Sequence, residues 1–534
     1  MREYLKSKLN TLTEDQKSLY NDMLSNSLLQ VCIPTGAGKG YLMMIDLLNQ
    51  IISTKNKIFV VSTHRLMLNT QHLNDIFSLL SPMIGEIGYI FVGSSKYDVS
   101  KFQENPKLNN ALNEKNLSYN EILSSTTNLK EVNELVKNHL ANGRKVVILT
   151  TYHSLNTLKD LEIDTFYGDE AQTLASDEFS RFQENFESIT AKRKFFFTAT
   201  PKDCVDKETE SFLMNNEDIF GERVGLNFKH CVDNGYLVKP VIHICKPSNY
   251  DDKYDYKNID NLAKFVDEAF FAHREFIKSV SLDETQIEPK ILVKCASVDD
   301  MWDLHERLNG TIEGVKICAG ASRNDKSTHL HYIGSEGIKD RSDYLQKVQE
   351  FDDTEMAIVL HYDTMSEGIN VAGFTGVMFL GGKLPTITKT LQNTGRSTRL
   401  HPLDRARFRN GEIVVGDGNW IKPNCAVIIP YYDRESEFTS RELAKQIKGL
   451  RDDFGYDPTF YVSIGTEIGS GKSKDDLEYL NEVDERESKF DLIDQITHEI
   501  EVLDNEDEDL KEKDRLNSMS KMQLLLEKLK KLSN

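Results

Sequence analysis

Lys39 closes the run Pro34-Thr35-Gly36-Ala37-Gly38-Lys39, which lies between a short apolar stretch and a segment of helical apolar spacing. Glycines let a backbone wrap closely round a phosphate, and free N–H groups at a helix start point at it. Lys39 adds a positive charge for the β- and γ-phosphates. Residues 34–40, Pro34, Thr35, Gly36, Ala37, Gly38, Lys39 and Gly40, are therefore read as a nucleotide cradle. Against the pattern GxxxxGK[ST], Ile33 replaces the leading Gly, and Gly40 replaces the residue whose hydroxyl would reach Mg2+. Either water fills that coordination position or the site is weakened. Farther along, Asp169-Glu170-Ala171-Gln172 follows an apolar lead-in, placing two carboxylates at a strand's C-terminal end. Asp169 can hold Mg2+ through water, and Glu170 beside it can orient or deprotonate an attacking water. Arg396 and Arg399 stand three residues apart, hence on one face of a helix. Presented from a second lobe, they meet a γ-phosphate only when the lobes close.

Positioning such groups requires strands that end together. Leu28 to Ile33, Lys57 to Ser62, Lys145 to Thr150, Phe166 to Gly168 and Lys194 to Phe197 read as strands, with a helix over Tyr41 to Ile52. Strands alternating with helices imply a parallel sheet covered on both faces. Ser94 to Asn142 is polar and Asn-rich, helical over Glu131 to Leu140, and reads as an elaboration of this first block. A second α/β block starts near Val238, with strands at Ile291 to Val293, Met356 to Leu360, Val377 to Leu380 and Ala426 to Ile429, and a helix over Asp299 to Leu308. The expected division is 1–237, 238–432 and 433–534.

Beyond Tyr432 the chain turns acidic and mostly helical in pattern. Leu516, Met519, Gln523, Leu526 and Leu529 share a helix face, which packs on its own domain, stays solvated or binds a protein partner. Gly469-Ser470-Gly471-Lys472-Ser473 imitates a phosphate loop, but no second acidic motif follows, so it reads as a flexible loop.

The 534 residues exceed one core. A net charge of -20 argues against a protein that coats polyanions generally, though a local basic cleft can sit on an acidic body. The seven cysteines are scattered without CxxC or zinc spacing, the pattern of reduced thiols in a cytosolic setting. Neither a signal peptide nor an apolar run long enough to span a membrane is evident, so the expected location is cytoplasmic, or host cytoplasm for a phage or viral protein.

Thr198-Ala199-Thr200-Pro201 and Glu367-Gly368-Ile369-Asn370 complete an ordered series running from about Gln16 to about His401. In order and separation the series resembles superfamily 2 helicases and translocases of the DEAD/DEAH-like kind. The resemblance implies two tandem RecA-like parallel-sheet lobes with an acidic, mainly helical C-terminal region. It implies ATP with Mg2+ between the lobes and nucleic acid across both. By the same resemblance Arg399 is the arginine finger and Arg396 a second phosphate contact. Gln172 relays nucleotide state at the lobe interface, and Gln16 reads the adenine edge. Gly368 and Asn370 belong to the motif that contacts the ribose or the other lobe; that motif usually ends in Asp. Thr63, Arg65, Thr151 and Tyr152 resemble segments touching the tracking strand, with Ser297 and Tyr362 as counterparts on the second lobe. Met214 to Leu237 resembles the interlobe link of bacterial, phage and viral DNA helicases and type III restriction subunits, which favours DNA over RNA. The competing readings are an RNA helicase or transcription-associated translocase, and a weakly active nucleotide-dependent scaffold.

Overall fold

A computed structural model describes residues 1–64, 66–93, 106–175, 181–202, 212–246, 258–280, 287–310, 312–320, 353–362, 373–380, 387–430, 457–464 and 467–468. The first sheet contains β1 (Leu28–Cys32), β2 (Ile58–Thr63), β3 (Ile87–Val92), β4 (Leu123–Thr126), β5 (Lys145–Thr151), β6 (Glu162–Asp169), β7 (Thr190–Thr198) and β8 (Glu222–Gly225). Their order is β4-β3-β5-β2-β6-β7-β1-β8, and every pairing is parallel. Parallel register brings the C-terminal ends to one edge: Cys32 is beside Thr198, Thr63 beside Thr151, and Asp169 beside Phe197.

The sheet is covered on both faces, and period-two alternation sorts its side chains between them. Phe59, Val61, Val147, Leu149, Phe195 and Phe197 face the helix Lys39–Ser53, while Val60, Val146, Ile148, Phe166 and Phe196 face the opposite layer. Full burial of each such phenylalanine stabilises the fold by about 1.5–3 kcal/mol. The helix itself buries Leu42, Met43, Ile45, Leu47 and Leu48 on several sides, as befits an element between sheet and flanking helices.

The second sheet contains β9 (Lys239–Lys246), β10 (Lys290–Lys294), β11 (Val315–Gly320), β12 (Met356–His361), β13 (Gly376–Phe379), β14 (Asn424–Pro430), β15 (Asp457–Ile464) and β16 (Glu467–Ile468). Its order is β11-β12-β10-β13-β14-β9-β15-β16, parallel except for the last pair. The two tandem RecA-like lobes expected from the motifs are thus present. Ile242, Leu292, Val359, Val377 and Val427 of the second sheet join the apolar cluster that backs the first, so the lobes share a continuous apolar contact.

Several elements depart from the sequence reading. β3, β4, β8, β9 and β11 were not expected, nor were the helices Leu66–Leu80 and Ile259–Val280. Within the polar stretch, β4 becomes the edge strand of the sheet, and the helix Leu129–Ala141 buries Val132 and Val136. β15 and β16 extend the second sheet from a region read as helical; the aromatic and β-branched residues of Phe460-Tyr461-Val462-Ser463-Ile464 suit a strand despite the acidic setting. The imitation phosphate loop from Gly469 and the terminal apolar helix face lie outside the described residues.

Candidate nucleotide site between the sheets

β1 runs into the glycine loop, anchored where Ile33 N–H donates to Thr198 O at 3.0 Å. Gly36 and Gly38 have φ of 93° and 96°, a region that a side chain strains. Space is equally restrictive at Gly38, where a Cβ would fall 2.4 Å from Gln16 Nε2. The fifteen-residue helix Lys39–Ser53 starts directly after it, aiming its first N–H groups into the loop. At Gly40 a Cβ would meet nothing within 4 Å. The missing hydroxyl therefore leaves open space, not a filled core.

Lys39 Nζ lies 2.9 Å from Asp169 Oδ1 and 2.7 Å from Glu170 Oε1. Burial opposes its charge, but the two carboxylates outweigh burial and hold its pKa above the ordinary lysine value. Burial would likewise raise Asp169, yet Lys39 and then His72 keep that carboxyl below the usual range. His72, on the helix Leu66–Leu80, places Nε2 3.0 Å from Asp169 Oδ2. Gln172 donates from Nε2 to Glu170 Oε2 at 2.8 Å, and Thr198 donates its hydroxyl to Gln172 Oε1 at 2.6 Å. A hydrogen-bonded line thus runs from the end of β7 to Glu170 and Lys39. Glu170 has φ 54°, a left-handed conformation uncommon for a non-glycine residue.

The second lobe brings its arginines to the same loop. A Cβ on Gly36 would lie 2.9 Å from Arg399 Cγ and 3.1 Å from Leu237 Cδ2, and one on Gly395 would lie 2.6 Å from Thr35 Cβ. Arg396 is buried on the helix Ile387–Ser397. Burial, then the neighbouring Arg396 and Arg405, push Arg399 down to about 9, while Asp75 works the other way. Proteins hold arginine charged throughout the physiological range.

The remaining expected residues divide. Gln16 Oε1 accepts from Thr13 N at 3.1 Å as a helix cap, and its Nε2 donates to Ala37 O at 3.0 Å. Its amide thus joins the start of its own helix to the glycine loop. Tyr152 is fully buried and donates its hydroxyl to Asp169 O at 2.8 Å. It shapes the acidic strand end from within the core. Thr63 and Thr151 are buried as well, Thr151 bonding Ser154 at 3.3 Å, so their side chains too are withdrawn from the surface where nucleic acid was expected. Ser297 caps the helix Val298–Leu308 by accepting from Asp300 N at 3.0 Å, and Tyr362 carries Lys294 Nζ 4.0 Å above its ring; both are half-buried. Pro34 O accepts from Ala37 N at 3.1 Å, tightening the loop. Arg65, Gly368 and Asn370 lie outside the described residues.

Sequence reasoning missed His72 and Lys422. A lone histidine on a helix has no motif partner in sequence, and lysines are seldom buried. Only folding reveals that one touches Asp169 and that the other holds the backbone of Arg399, at 2.8 Å from its carbonyl.

Two parallel-sheet lobes, with a glycine loop and paired acids on one and arginines on the other, make the chain's fold similar to that of superfamily 2 helicases and translocases. More particularly, residues 9–203 match the family model described as type III restriction enzyme, res subunit. Among solved structures, the chain is similar to the ATP-dependent Type ISP restriction-modification enzyme LlaBIII bound to DNA. The TM-score is 0.55 at 14% identity, over 95% of this chain and 36% of that one. A nuclease-deletion mutant of the Type ISP enzyme LlaGI, in complex with a DNA substrate mimic, gives 0.52 at 12% identity, over 95% of this chain and 34% of that one. S. cerevisiae Dbp5 bound to RNA and ADP BeF3 gives 0.50 at 12% identity, over 91% and 97%. The chain therefore spans about a third of the restriction enzymes' length. No curated protein matches the sequence. Among the described residues no helix is long and apolar enough to cross a membrane.

Proposed function

We propose that the protein is an ATP-driven helicase or translocase that acts on DNA. The observation that carries this reading is the meeting of Arg399, from the second lobe, with Gly36 of the loop that ends in Lys39. Nucleotide phosphates bound there give the arginine an anionic group to meet, and they compete with Asp169 and Glu170 for Lys39. Lys39 then exchanges carboxylate for phosphate, which frees Glu170 to orient the attacking water. Gln172 holds the Glu170 carboxylate in place, and Thr198 reports its position to the end of β7. Arg399 balances charge on the transferred phosphoryl only while the lobes are together.

Asp169 and Glu170 are hard oxygen donors side by side, and the open space at Gly40 accommodates a water, so the residues fit Mg2+. When bound, the ion neutralises charge on the β- and γ-phosphate oxygens. DNA is favoured by the res-subunit match and by the DNA-bound Type ISP relatives; RNA is the rival because Dbp5 is an RNA-bound relative. Ser297 and Tyr362 at the ends of second-lobe strands are the proposed contacts there, and the acidic region past 432 is the proposed place for a protein partner. Cytoplasmic residence accords with this work.

The test is steady-state ATP hydrolysis with single-stranded DNA, duplex DNA and RNA. Stimulation by DNA that vanishes in Lys39→Ala and Glu170→Gln is expected. Stimulation by RNA alone transfers the reading to an RNA motor. No turnover with any polymer sinks the motor and favours a nucleotide-dependent scaffold.

A further inference from the structure

Arg399 lies two residues past the helix Ile387–Ser397, where a chain normally frays. A side chain that must meet a phosphate from across a cleft needs a fixed root. Three consecutive carbonyls supply one. Lys422 Nζ donates to Ser397 O at 2.6 Å and to Arg399 O at 2.8 Å, while Val238 N–H donates to Thr398 O between them at 2.7 Å.

Lys422 is 2% exposed. The nearby Asp404 spends its two carboxylate oxygens on the N–H groups of Ile421 and Lys422, each at 2.9 Å. The ammonium is thus held by backbone carbonyls, not by a carboxylate ion pair, among the described residues. Burying an ammonium is costly, and an apolar chain of similar length would fill the space with less penalty. What an apolar chain cannot do is take two carbonyls at once at the negative end of the helix dipole.

We propose that Lys422 is a positioning residue that fixes the backbone of Arg399, so that its guanidinium is presented to the phosphate loop. This rests on the ATP-hydrolysing reading above. It goes beyond that reading because it assigns the geometry of the arginine to a buried lysine outside every sequence motif.

The experiment measures kcat and KM for ATP, with saturating stimulating polymer, for wild type, Lys422→Met and Lys422→Arg, each also in an Arg399→Ala background. Misplacing a catalytic group by about 1 Å costs about a hundredfold, so a ten- to hundredfold loss of kcat is expected for Lys422→Met, with KM within about twofold. Lys422→Arg should regain part of that loss, because it keeps two or more donors. In the Arg399→Ala background Lys422→Met should cost nothing further. A kcat like wild type, or an equal loss without Arg399, overturns the assignment. If Lys422→Met does not fold, Lys422→Arg carries the same test, with a smaller kcat loss that must also vanish without Arg399. Absence of turnover in wild type would sink both reading and assignment; turnover indifferent to position 422 sinks the assignment alone.

Discussion

Gly395 and Thr35 are in contact only because position 395 lacks a side chain: a Cβ there would sit 2.6 Å from Thr35 Cβ. The arginine helix of one lobe and the phosphate loop of the other therefore approach to the limit of backbone packing. In Gly395→Ala the helix itself gains propensity worth about 1 kcal/mol, since alanine favours a helix interior over glycine. Lobe closure, however, is blocked by a fraction of an ångström. The expected result is an unchanged or raised Tm together with kcat lowered about tenfold or more. Turnover equal to wild type would show that hydrolysis does not need this contact.

Lys39 sits between two buried carboxylates, so its removal strands both. Lys39→Ala should lose turnover and also lose about 3–5 kcal/mol of stability near pH 7, the usual cost of leaving a buried charge unpaired. The sign with pH follows. In wild type, Asp169 is held low, so its stabilisation is complete above the unfolded carboxyl value and is lost as pH falls through its lowered folded value. In the variant, burial acts on Asp169 without the Lys39 charge to oppose it, so that carboxyl rises and is relieved by protonation. The stability gap between the two proteins should shrink as pH drops from 7 toward 4. Chemical denaturation at several pH values measures this; a gap that widened in acid would contradict it.

Gln172→Leu keeps the shape of the side chain and cuts the line from Thr198 to Glu170. Hydrogen bonds to charged groups contribute about 1.5–3 kcal/mol, so a kcat lower by about ten- to hundredfold is expected. KM for ATP should change little, because Gln172 contacts the acid and not the loop. A large rise in KM with kcat intact would move Gln172 from hydrolysis to nucleotide binding.

Burial lowers Lys422 to about 8, with Asp404 and Cys425 acting to raise it and Arg399 and Arg405 to lower it further; His273 also feels its charge. Its folded pKa lies below the unfolded value of 10.5, so the unfolded chain binds the proton more tightly between them. That lysine's penalty is full below its folded value and is released as pH rises toward 10.5. Wild type should gain stability relative to Lys422→Met between pH 8 and about 10. A flat difference across that range would place the ammonium in a wetter setting.

How much of this was legible in the sequence depends on the kind of signal. The loop, the acids and the arginines announce themselves because each is a fixed set of types at short spacing. Their strands were legible because Val146 to Leu149 and Phe195 to Phe197 are apolar runs bounded by turns. β4, Leu123-Ser124-Ser125-Thr126, was not, since an edge strand needs little apolar content. Tyr152 shows what spacing leaves open. Its neighbours match a segment known for touching nucleic acid, but adjacency does not fix which way a side chain turns, and its hydroxyl points back into the fold. Gln16 is similar: the amide that could read a base is the one that caps a helix and props the loop.

The left-handed backbone of Glu170 costs about 1–2 kcal/mol, a sum that glycine would not incur. Glycine at position 170 would relieve that strain but would also take away the carboxylate 2.7 Å from Lys39 and the acceptor for Gln172. The ion pair outweighs the strain, so a backbone that is unfavourable by itself is kept in place by the side chain it carries.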